Sequence, residues 1–277
     1  MPSTEAAAGG VLPFRMIRNL SAHRSLIKRF AWRDAVLRYK GSYLGILWSF
    51  LVPLMMLAVY TLVFGVIFQN RWDSTGGSRI DFVLDLFTGL IMFNVFAECV
   101  QRAPGLILAN PNYVKRVVFP LEVLPVAAVG ASLINAGFGL LILIPATIVV
   151  HHGISSTMWM FPLVLVPLCS LTLGLTWCLA SLGVFVRDLS QPVMIATQAL
   201  FFLSGIFFPL SAVPPWLRPV MLLNPLTTIL DDSRRTLLWG LPPVWRWWAA
   251  VTIGSLLVML VGYYAFMRSK KAFADVM

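Results

Sequence analysis

The sequence predicts an all-α polytopic membrane protein, a single helical bundle that crosses the bilayer six times. Hydrophobic residues make up 59% of its 277 positions and charged residues only 12%, whereas an ordinary soluble domain carries about 25% charged residues. Long stretches without formal charge recur along the chain, and about 20 apolar residues in a helix cross the hydrocarbon core. A buried helix of a soluble protein is therefore disfavoured, because too few charges remain to cover a soluble surface.

The first predicted span, residues 44–68, lies within a stretch of 30 uncharged residues between Lys40 and Arg71. A strongly basic segment precedes this stretch, and basic residues stay on the cytoplasmic side of a membrane. The first span is therefore expected to run from the inside to the outside, and it sets the orientation of every later span.

Residues 14–40 are predicted to form an amphipathic helix in the cytoplasmic interface, after a disordered tail at residues 1–13. The apolar arc of this helix is formed by Leu26, Ile27, Phe30 and Leu37. The arc is imperfect because Arg29 and Arg33 crowd its edge. A plain topology signal is therefore the alternative interpretation of this segment.

Five further spans are predicted from the remaining uncharged stretches, at about 82–103, 123–149, 157–185, 191–209 and 248–267. The third and fourth come from 64 residues without formal charge after Glu122, which as one helix would measure about 95 Å. This stretch must fold back, and the polar residues 151–153 mark the turn. Asp85 and Glu98 lie in the second span, where a carboxylate at membrane depth is energetically costly and often functional. Solvation of both carboxylates near the interfaces is the alternative.

Residues 207–246 are too apolar for a free loop and too polar for a full span. Asn224 suits the N-cap of a helix and Pro225 suits its first turn. One turn apart on that helix, Asp231 is placed to pair with Arg235. Two short half-helices that enter from the outside and return fit this composition, since irregular backbone at membrane depth is tolerated only inside protein or beside a wet cavity.

The distribution of Lys and Arg supports this six-span topology. Segments assigned to the inside hold 15 of the 21 basic residues, and segments assigned to the outside hold 6. Because basic residues concentrate in cytoplasmic loops, both termini are expected in the cytoplasm. The net charge of +10 therefore reflects membrane orientation, and nucleic acid is not expected as a partner.

Sequence motifs of catalysis are missing. There is no GxxxxGK[ST] nucleotide-binding loop, no GxSxG, no HExxH and no CxxC, which would mark nucleotide, nucleophile, zinc and redox sites. The three cysteines, Cys99, Cys169 and Cys178, lie singly in apolar stretches, so neither a disulfide nor a metal site is expected. No catalytic residue is assigned, and a transport subunit is favoured over an enzyme.

Several short patterns follow one another over nearly the whole chain. They are Arg38-Tyr39-Lys40-Gly41-Ser42 with Leu44-Gly45 and Leu47-Trp48-Ser49, Val114-Lys115-Arg116 with Phe119-Pro120, Arg187-Asp188-Leu189, Phe208-Pro209 and Asn224-Pro225-Leu226. In order and spacing they resemble the membrane subunits of ABC polysaccharide exporters. This family belongs to the type-2 ABC exporter class and exports O-antigen, capsule and teichoic acid, and the O-antigen type is the most similar.

The resemblance implies a homodimer that works with two separate ABC ATPase subunits. ATP and Mg would bind those partners, and this chain itself would hold no cofactor. The substrate would be a polysaccharide linked to polyprenyl pyrophosphate, moved from the cytoplasmic to the outer leaflet of the bacterial inner membrane. The resemblance also implies an N-terminal interface helix and a re-entrant outer gate between spans five and six. The alternatives are a related ABC exporter for lipids or drugs and, less favoured, a membrane-embedded glycan or lipid transferase.

The cytosolic loop at residues 105–119 is the segment expected to dock the ATPase, with a plain positive-inside anchor as the alternative. The expected docking residues are Asn110, Tyr113, Lys115 and Arg116, together with Arg187 and Asp188. Aromatic rings suit a glycan path because the C–H faces of sugars pack on flat rings, and lipid- or core-facing packing is the alternative for each ring. The candidates for the channel lining are Tyr43, Trp48, Tyr60, Phe201 and Phe202.

A pyrophosphate headgroup needs cations at headgroup level, close to a path into the bundle. Arg33, Arg38 and Lys40 lie where the interface helix joins the first span, and arginine offers phosphate a bidentate fork. Tyr39 and Tyr43 lie one helical turn apart and are placed to pack on the first sugars. Anchoring of these cations to anionic lipid is the alternative. The outer gate is expected to involve Pro214, Trp216, Asn224 and Pro225.

Overall fold

The computed structural model of the chain describes residues 13–37, 43–63, 79–114, 119–153, 155–208 and 213–273. Regular structure within these ranges is entirely helical. In chain order the α-helices are α1 (Pro13–Ala22), α2 (Arg24–Leu37), α3 (Trp48–Tyr60), α4 (Arg79–Leu106), α5 (Pro111–Val114), α6 (Val123–His151), α7 (Phe161–Phe185), α8 (Ser190–Leu203), α9 (Arg218–Leu223), α10 (Pro225–Leu237) and α11 (Trp245–Ser269). Short 3₁₀ helices lie at Gly45–Leu47, Met158–Met160, Arg187–Leu189 and Lys270–Ala272.

Four helices in the described part of the chain are long and apolar enough to cross a membrane. They are Ile80–Leu106, Val123–His151, Met158–Phe185 and Trp245–Ala272. They match the second, third, fourth and sixth predicted spans, each with ends within a few residues of the prediction. The chain is therefore an all-helical membrane protein, as its composition indicates.

The other two predicted spans correspond to shorter helices within the described residues. The apolar helix at Trp48–Val63 covers the first part of predicted span 44–68, whose remainder lies outside the described residues. Helix α8 has 14 residues and rises about 21 Å, less than the hydrocarbon thickness. The prediction of one helix to residue 209 is wrong, because α8 ends at Leu203 and Gly205 then takes a left-handed φ of 67° that helices do not continue through.

The predicted interface helix is two helices, α1 and α2, separated at His23. The His23 ring Nδ1 hydrogen bonds the carbonyl of Asn19 at 2.9 Å, while the His23 backbone N–H donates to Leu20 at 3.2 Å. The ring thus takes the carbonyl that a continuous helix would use, and the helix breaks there. Of the predicted apolar arc, Phe30 is buried but Leu37 is 47% exposed. Residues 38–40, the end of the predicted helix, lie outside the described part, as do residues 1–12 of the predicted tail.

Helices α7 and α11 run parallel and in close contact. Trp248 Nε1 donates to the Leu163 carbonyl at 3.0 Å, and farther along the Trp177 and Tyr263 rings meet with centroids 5.1 Å apart. Between these contacts, a Cβ on Gly174 would lie 2.6 Å from the backbone of Met259, so glycine permits the approach. Because α7 and α11 run the same way, residues 186–244 must carry the chain back to the side where α7 begins.

Helix α6 runs antiparallel to α4. Gly139 packs against Ile91, and nearer the start of α6 Ser132 Oγ hydrogen bonds Cys99 Sγ at 3.1 Å. At the far end, His151 Nε2 lies 2.9 Å from Asp81 Oδ1. The bundle therefore has two ends, one formed by α1, α2 and the start of α6, and the other by α10 and the end of α6. We refer to them as the α2 end and the α10 end.

Candidate functional site

A cavity of about 600 Å³ lies between α3, α4, α6 and α8. Its polar lining comes from Ser49, Asn94, Glu98, Gln101, Ser132, Asn135, Thr197 and Gln198. Its aromatic lining comes from Tyr60, Phe87, Phe93 and Phe201. Amides, a carboxylate and flat rings in one cavity of an apolar bundle match the needs of a molecule that has hydroxyl groups and apolar faces.

Some polar groups of the cavity have no partner among the residues that the structure describes. They are Ser49 Oγ and both amide atoms of Asn135, and Ser49 is only 3% exposed. Buried polar atoms in folded proteins are nearly always hydrogen bonded. These two side chains are therefore available to a molecule in the cavity.

Of the five aromatic residues predicted to line a channel, the structure brings two to this cavity. Tyr60 from α3 and Phe201 from α8 line it. Trp48 begins α3 but does not line the cavity, and Tyr43 is fully exposed. Phe202 is 54% exposed and stacks on Phe207 with centroids 5.9 Å apart. It does not line the cavity, because it follows Phe201 directly and neighbouring residues on a helix point to different sides.

The predicted docking segment is clamped to α2 at the α2 end. The ring of Tyr113 in α5 stacks on Phe119 with centroids 4.5 Å apart and meets Phe30 edge-on at 5.4 Å. Arg33 Nη1 donates to the Tyr113 hydroxyl at 3.1 Å, and the guanidinium lies 4.3 Å from the Phe30 ring centroid. The hydrogen bond to Tyr113, with a smaller contribution from Asp34, raises the pKa of Arg33. A residue predicted to meet the substrate headgroup is thus bonded to a residue predicted to meet the ATPase.

A line of ion pairs joins this clamp to the cavity. Glu98, which lines the cavity, lies 3.7 Å from Arg102 one turn later in α4. Arg102 lies 3.8 Å from Asp34 in α2, and Asp34 lies 3.3 Å from Arg33. Sequence analysis did not single out Asp34 or Arg102. The i,i+4 spacing of Glu98 and Arg102 was a usable signal, whereas the contact with Asp34 was not visible in the sequence.

The other predicted docking residues differ in position. Asn110 Nδ2 donates to the Leu106 carbonyl at 2.9 Å and so closes the end of α4. Arg187 and Asp188 are exposed on a 3₁₀ turn after α7, at the α2 end where Gly183 packs against Pro104. Lys115 and Arg116 lie outside the described residues, as do Arg38, Tyr39 and Lys40 of the predicted headgroup site.

The predicted outer gate contains two short helices, α9 and α10, joined at Asn224. The Asn224 Oδ1 atom accepts from the Leu226 N–H at 3.1 Å, and Pro225 is the first residue of α10, which confirms the predicted cap. Its Nδ2 donates to Ser204 Oγ at 2.9 Å. Pro214 and Trp216 are exposed, Trp216 by 75%. Arg235 donates to the Pro242 carbonyl at 3.0 Å instead of pairing with Asp231, because the chain after α10 folds back onto it.

A buried arginine that the sequence analysis missed holds α10 to the bundle. Arg234 is 2% exposed, and its Nε, Nη1 and Nη2 donate to the carbonyls of Asp85, Gly205 and Ile206 at 2.9, 3.0 and 3.0 Å. Asp85 is 1% exposed and accepts from Trp239 Nε1 at 2.8 Å. Local solvation of Asp85 is therefore excluded, since protein groups replace water around it.

Glu122 joins four helices at the α2 end and was also missed as a structural centre. Lys270 Nζ lies 2.7 Å from Oε2 and Asn19 Nδ2 donates to Oε1 at 2.8 Å. Trp177 Nε1 donates to the Glu122 carbonyl at 3.2 Å. Burial would raise the pKa of Glu122, but the bonds from Lys270 and Asn19 outweigh it and hold that pKa below its usual value.

The chain was compared with known protein families and proteins. Residues 25–238 match the ABC-2 type transporter family model. The O-antigen export system permease protein RfbA of Myxococcus xanthus is 29% identical over 83% of this chain and 80% of its own length. The protein of the same name from Klebsiella pneumoniae is 24% identical over 96% of this chain and 100% of its own length. The polysialic acid transport protein KpsM of Escherichia coli is 26% identical over 75% of this chain and 79% of its own. The family match covers well over half of the sequence, and the chain belongs to the ABC-2 type transporter membrane family.

Proposed function

We propose that this chain is the transmembrane subunit of an ATP-driven exporter that moves lipid-linked polysaccharide, such as O-antigen, across the bacterial inner membrane. The observation that carries the proposal is the cavity of about 600 Å³ with its amide, hydroxyl and aromatic lining inside an apolar bundle. A lipid-facing or drug-binding surface has no need of so many hydrogen-bonding groups. The names of the relatives support the same class of cargo.

The cavity supplies two kinds of contact to a sugar chain. The rings of Tyr60 and Phe201 are flat surfaces for sugar C–H faces. The amides of Asn94, Asn135 and Gln198 offer donors and acceptors to hydroxyl groups. These contacts replace the water that the glycan loses, which allows a hydrophilic polymer to pass while its lipid carrier stays in the bilayer.

The energy is supplied by a separate ATPase, because this chain has no nucleotide-binding loop. We place two ATPase subunits, with their ATP and Mg, at the α2 end of a homodimer. The clamp of α5 against α2 there gives a rigid surface for docking, with Arg187 and Asp188 beside it. Lys115 and Arg116 belong to the same loop and add positive charge to the docking surface.

The six-span topology with both termini in the cytoplasm remains part of the proposal. It is supported by the parallel course of α7 and α11, which requires residues 186–244 to cross back. Helix α8 supplies part of that crossing, and α9 and α10 form the two re-entrant halves of an outer gate. The α2 end is then cytoplasmic, and Pro214 and Trp216 lie at the outer face.

The pyrophosphate headgroup is proposed to enter beside α2. Arg33 lies at this position, and Arg38, Tyr39, Lys40 and Tyr43 follow it in the sequence. A phosphate that binds both Nη groups of Arg33 as a bidentate fork competes for them with the Tyr113 hydroxyl and the Asp34 carboxylate. Substrate arrival would therefore loosen the contact between α2 and the docking helix, which is a direct means of reporting the substrate to the ATPase.

The proposal is tested by reconstitution of the complete transporter. This chain is coexpressed with a P-loop ATPase encoded beside it, and the complex is placed in proteoliposomes that contain polyprenyl-pyrophosphate-linked O-antigen. We expect a complex of two plus two subunits and movement of the glycan to the other leaflet only with ATP. Stimulation of the ATPase by a drug or a plain lipid, with no movement of glycan, would assign the chain to the alternative exporter class. Glycan transfer by the purified chain alone would favour the transferase.

A further inference from the structure

We infer that the cavity between α3, α4, α6 and α8 is a binding subsite for uncharged, hydroxyl-rich sugars and that it disfavours polyanionic glycans. This inference rests on the proposed export function and narrows its substrate class. The relatives of this chain include proteins named for O-antigen and for polysialic acid. The family alone therefore does not decide whether the glycan is neutral or acidic, whereas the cavity lining bears directly on that choice.

The hydrogen-bonding groups of the cavity suit neutral hydroxyls. Both amide atoms of Asn135 and the Ser49 Oγ have no partner within the described ranges, and both residues line the cavity. An amide has two donors and one acceptor oxygen, and a hydroxyl has one donor and two acceptor sites. Each sugar hydroxyl, as donor and acceptor at once, can satisfy such groups without bringing a charge into the bundle.

The charge of the cavity points the same way. Glu98 is the one charged side chain among the described residues that line it, and no lysine or arginine is among them. The nearby cation, Arg102, does not line the cavity and is shared between Glu98 and Asp34. A carboxylated polymer would meet a carboxylate of like sign, with no cation among the described lining residues to offset the repulsion. A neutral polymer meets no such repulsion.

The size and the rings of the cavity complete the subsite. Its volume of about 600 Å³ falls in the usual range of small-molecule sites, about 300–1,000 Å³. Tyr60 and Phe201 contribute rings from α3 and α8, on helices that also carry Ser49 and Gln198. A short run of sugars can thus contact a ring and an amide at the same time, and this combination selects sugars over lipid tails.

The test uses proteoliposomes of the complete transporter and two synthetic substrates. Both carry polyprenyl pyrophosphate and four sugars, which are neutral hexoses in one and sialic acids in the other. The readouts are stimulation of ATP hydrolysis and glycan recovered in the other leaflet. We expect the neutral substrate to stimulate ATP hydrolysis and to be recovered in the other leaflet. The sialic acid substrate should be at least about tenfold less active in both readouts, an effect that corresponds to one strongly unfavourable contact.

Substitutions then assign the effect to this cavity. Asn135→Leu and Ser49→Ala, made separately, should each raise the half-maximal concentration of the neutral substrate, Asn135→Leu by about tenfold. Glu98→Gln should reduce the difference in activity between the neutral substrate and the sialic acid substrate. Thr252→Val is the matched control, because the Thr252 hydroxyl is also buried without a partner among described residues but does not line the cavity.

The outcomes separate the subsite from the export function. Equal activity of the neutral and acidic substrates would overturn the subsite and leave the export function standing. Unchanged response in both Asn135→Leu and Ser49→Ala would do the same. Failure of both substrates, under conditions where the transporter moves another molecule, would overturn the export function and the subsite together.

Discussion

Arg234 illustrates how a charged side chain is kept inside an apolar bundle. Its guanidinium donates to three backbone carbonyls on α4 and on the turn after α8, so the charge is compensated by dipoles and by nearby carboxylates. Gly89 makes room for it, since a Cβ there would lie 2.6 Å from Arg234 Nη2. One side chain thus joins α10 to two other parts of the bundle, and this explains why α10 has a defined position.

Replacement of Arg234 should destabilise the protein strongly. Arg234→Met fills similar volume but leaves three buried carbonyls without their donor and the Asp85 carboxylate without a nearby positive charge, and breaking a buried charged contact costs about 3 kcal/mol. We expect a clear fall in the thermal unfolding temperature of the detergent-purified chain. Arg235→Met is the control, because Arg235 donates to the Pro242 carbonyl at a partly exposed position. Its replacement should cost less than about 1 kcal/mol. Equal unfolding temperatures for the two variants would contradict this account of Arg234.

Glu122 should make stability depend on acid pH. Its pKa in the folded chain lies below the ordinary glutamate value of 4.5, so its ionised form is stabilised by folding. The contribution is therefore complete above about pH 4.5 and is lost as the pH falls through the folded pKa. Glu122→Gln should lower the unfolding temperature at pH 7, at a cost of about 1–3 kcal/mol, and should flatten the decline below pH 4.5. Thermal unfolding from pH 7 to pH 3 measures both, and a parallel decline in wild type and variant would exclude Glu122 as the titrating group.

The contact that sequence analysis identified correctly, the Asn224 cap, joins residues that are close in the chain. Asn224 and Pro225 were recognised because a cap bonds a residue two positions later. Arg234 and Asp85 are 149 positions apart, and Asn19 and Glu122 are 103 apart, so no local pattern connects them. Tyr60 and Phe201 were predicted to line a channel because aromatic rings suit sugars, and the same reasoning selected Trp48 and Phe202. Only the packing of α3 and α8 shows which of these rings line the cavity.

Among the elements, α5, the proposed docking helix, depends on α2 for its position. Three rings and one arginine hold it, while Asp34 and Arg102 continue the contacts to the cavity. The short length of α5, four residues, means that it has little stability of its own. A change in α2 is therefore expected to reach the proposed ATPase-docking surface directly.

Removal of a single hydroxyl tests this connection. Tyr113→Phe keeps the ring contacts with Phe30 and Phe119 but removes the acceptor for Arg33. A hydrogen bond to a charged group contributes about 1.5 kcal/mol or more, so substrate-stimulated ATP hydrolysis should change by up to about tenfold while the ATPase still copurifies. Tyr264→Phe is the control, because its hydroxyl also accepts from an arginine, Arg268, at 3.4 Å but lies away from α5. Wild-type stimulation in Tyr113→Phe would exclude the Arg33 contact as a coupling element.

The elements that the sequence predicted best are the long ones. Long uncharged stretches predicted α4, α6, α7 and α11, because about 20 consecutive apolar residues are sufficient to indicate a membrane span. The end of α8 depends on the backbone of Gly205, and the break between α1 and α2 depends on the His23 ring. Hydropathy contains neither kind of information, so the predicted span 191–209 was too long and the predicted interface helix was undivided.

At the scale of the whole molecule, the orientation in the membrane can be tested by labelling. In a variant without Cys99, Cys169 and Cys178, single cysteines are placed at Asn112 and Ser156, both exposed and at opposite ends of the bundle. An impermeant maleimide added to intact cells should modify Ser156→Cys and leave Asn112→Cys unmodified until the membrane is opened. Outside labelling at residue 112 would contradict the cytoplasmic position of the α2 end and hence the six-span topology.

The class of the whole molecule was predictable from composition and from the ordered patterns between Arg38 and Leu226. The family match over residues 25–238 confirms that prediction. The second copy and the ATPase are expected only through the resemblance, since no residue pattern in one chain shows either partner. The cavity required the structure, because it is lined by four helices whose contributing residues run from Ser49 to Phe201.

The central claim is that this chain carries a glycan across the membrane, and the most direct measurement is the location of that glycan in cells that lack the chain. We predict that these cells show no glycan on their surface and that the lipid-linked polysaccharide stays at the cytoplasmic leaflet. The wild-type gene should restore surface display. The glycan is followed with an antibody on intact and on opened cells. Normal display on intact cells in the absence of this chain would contradict the account.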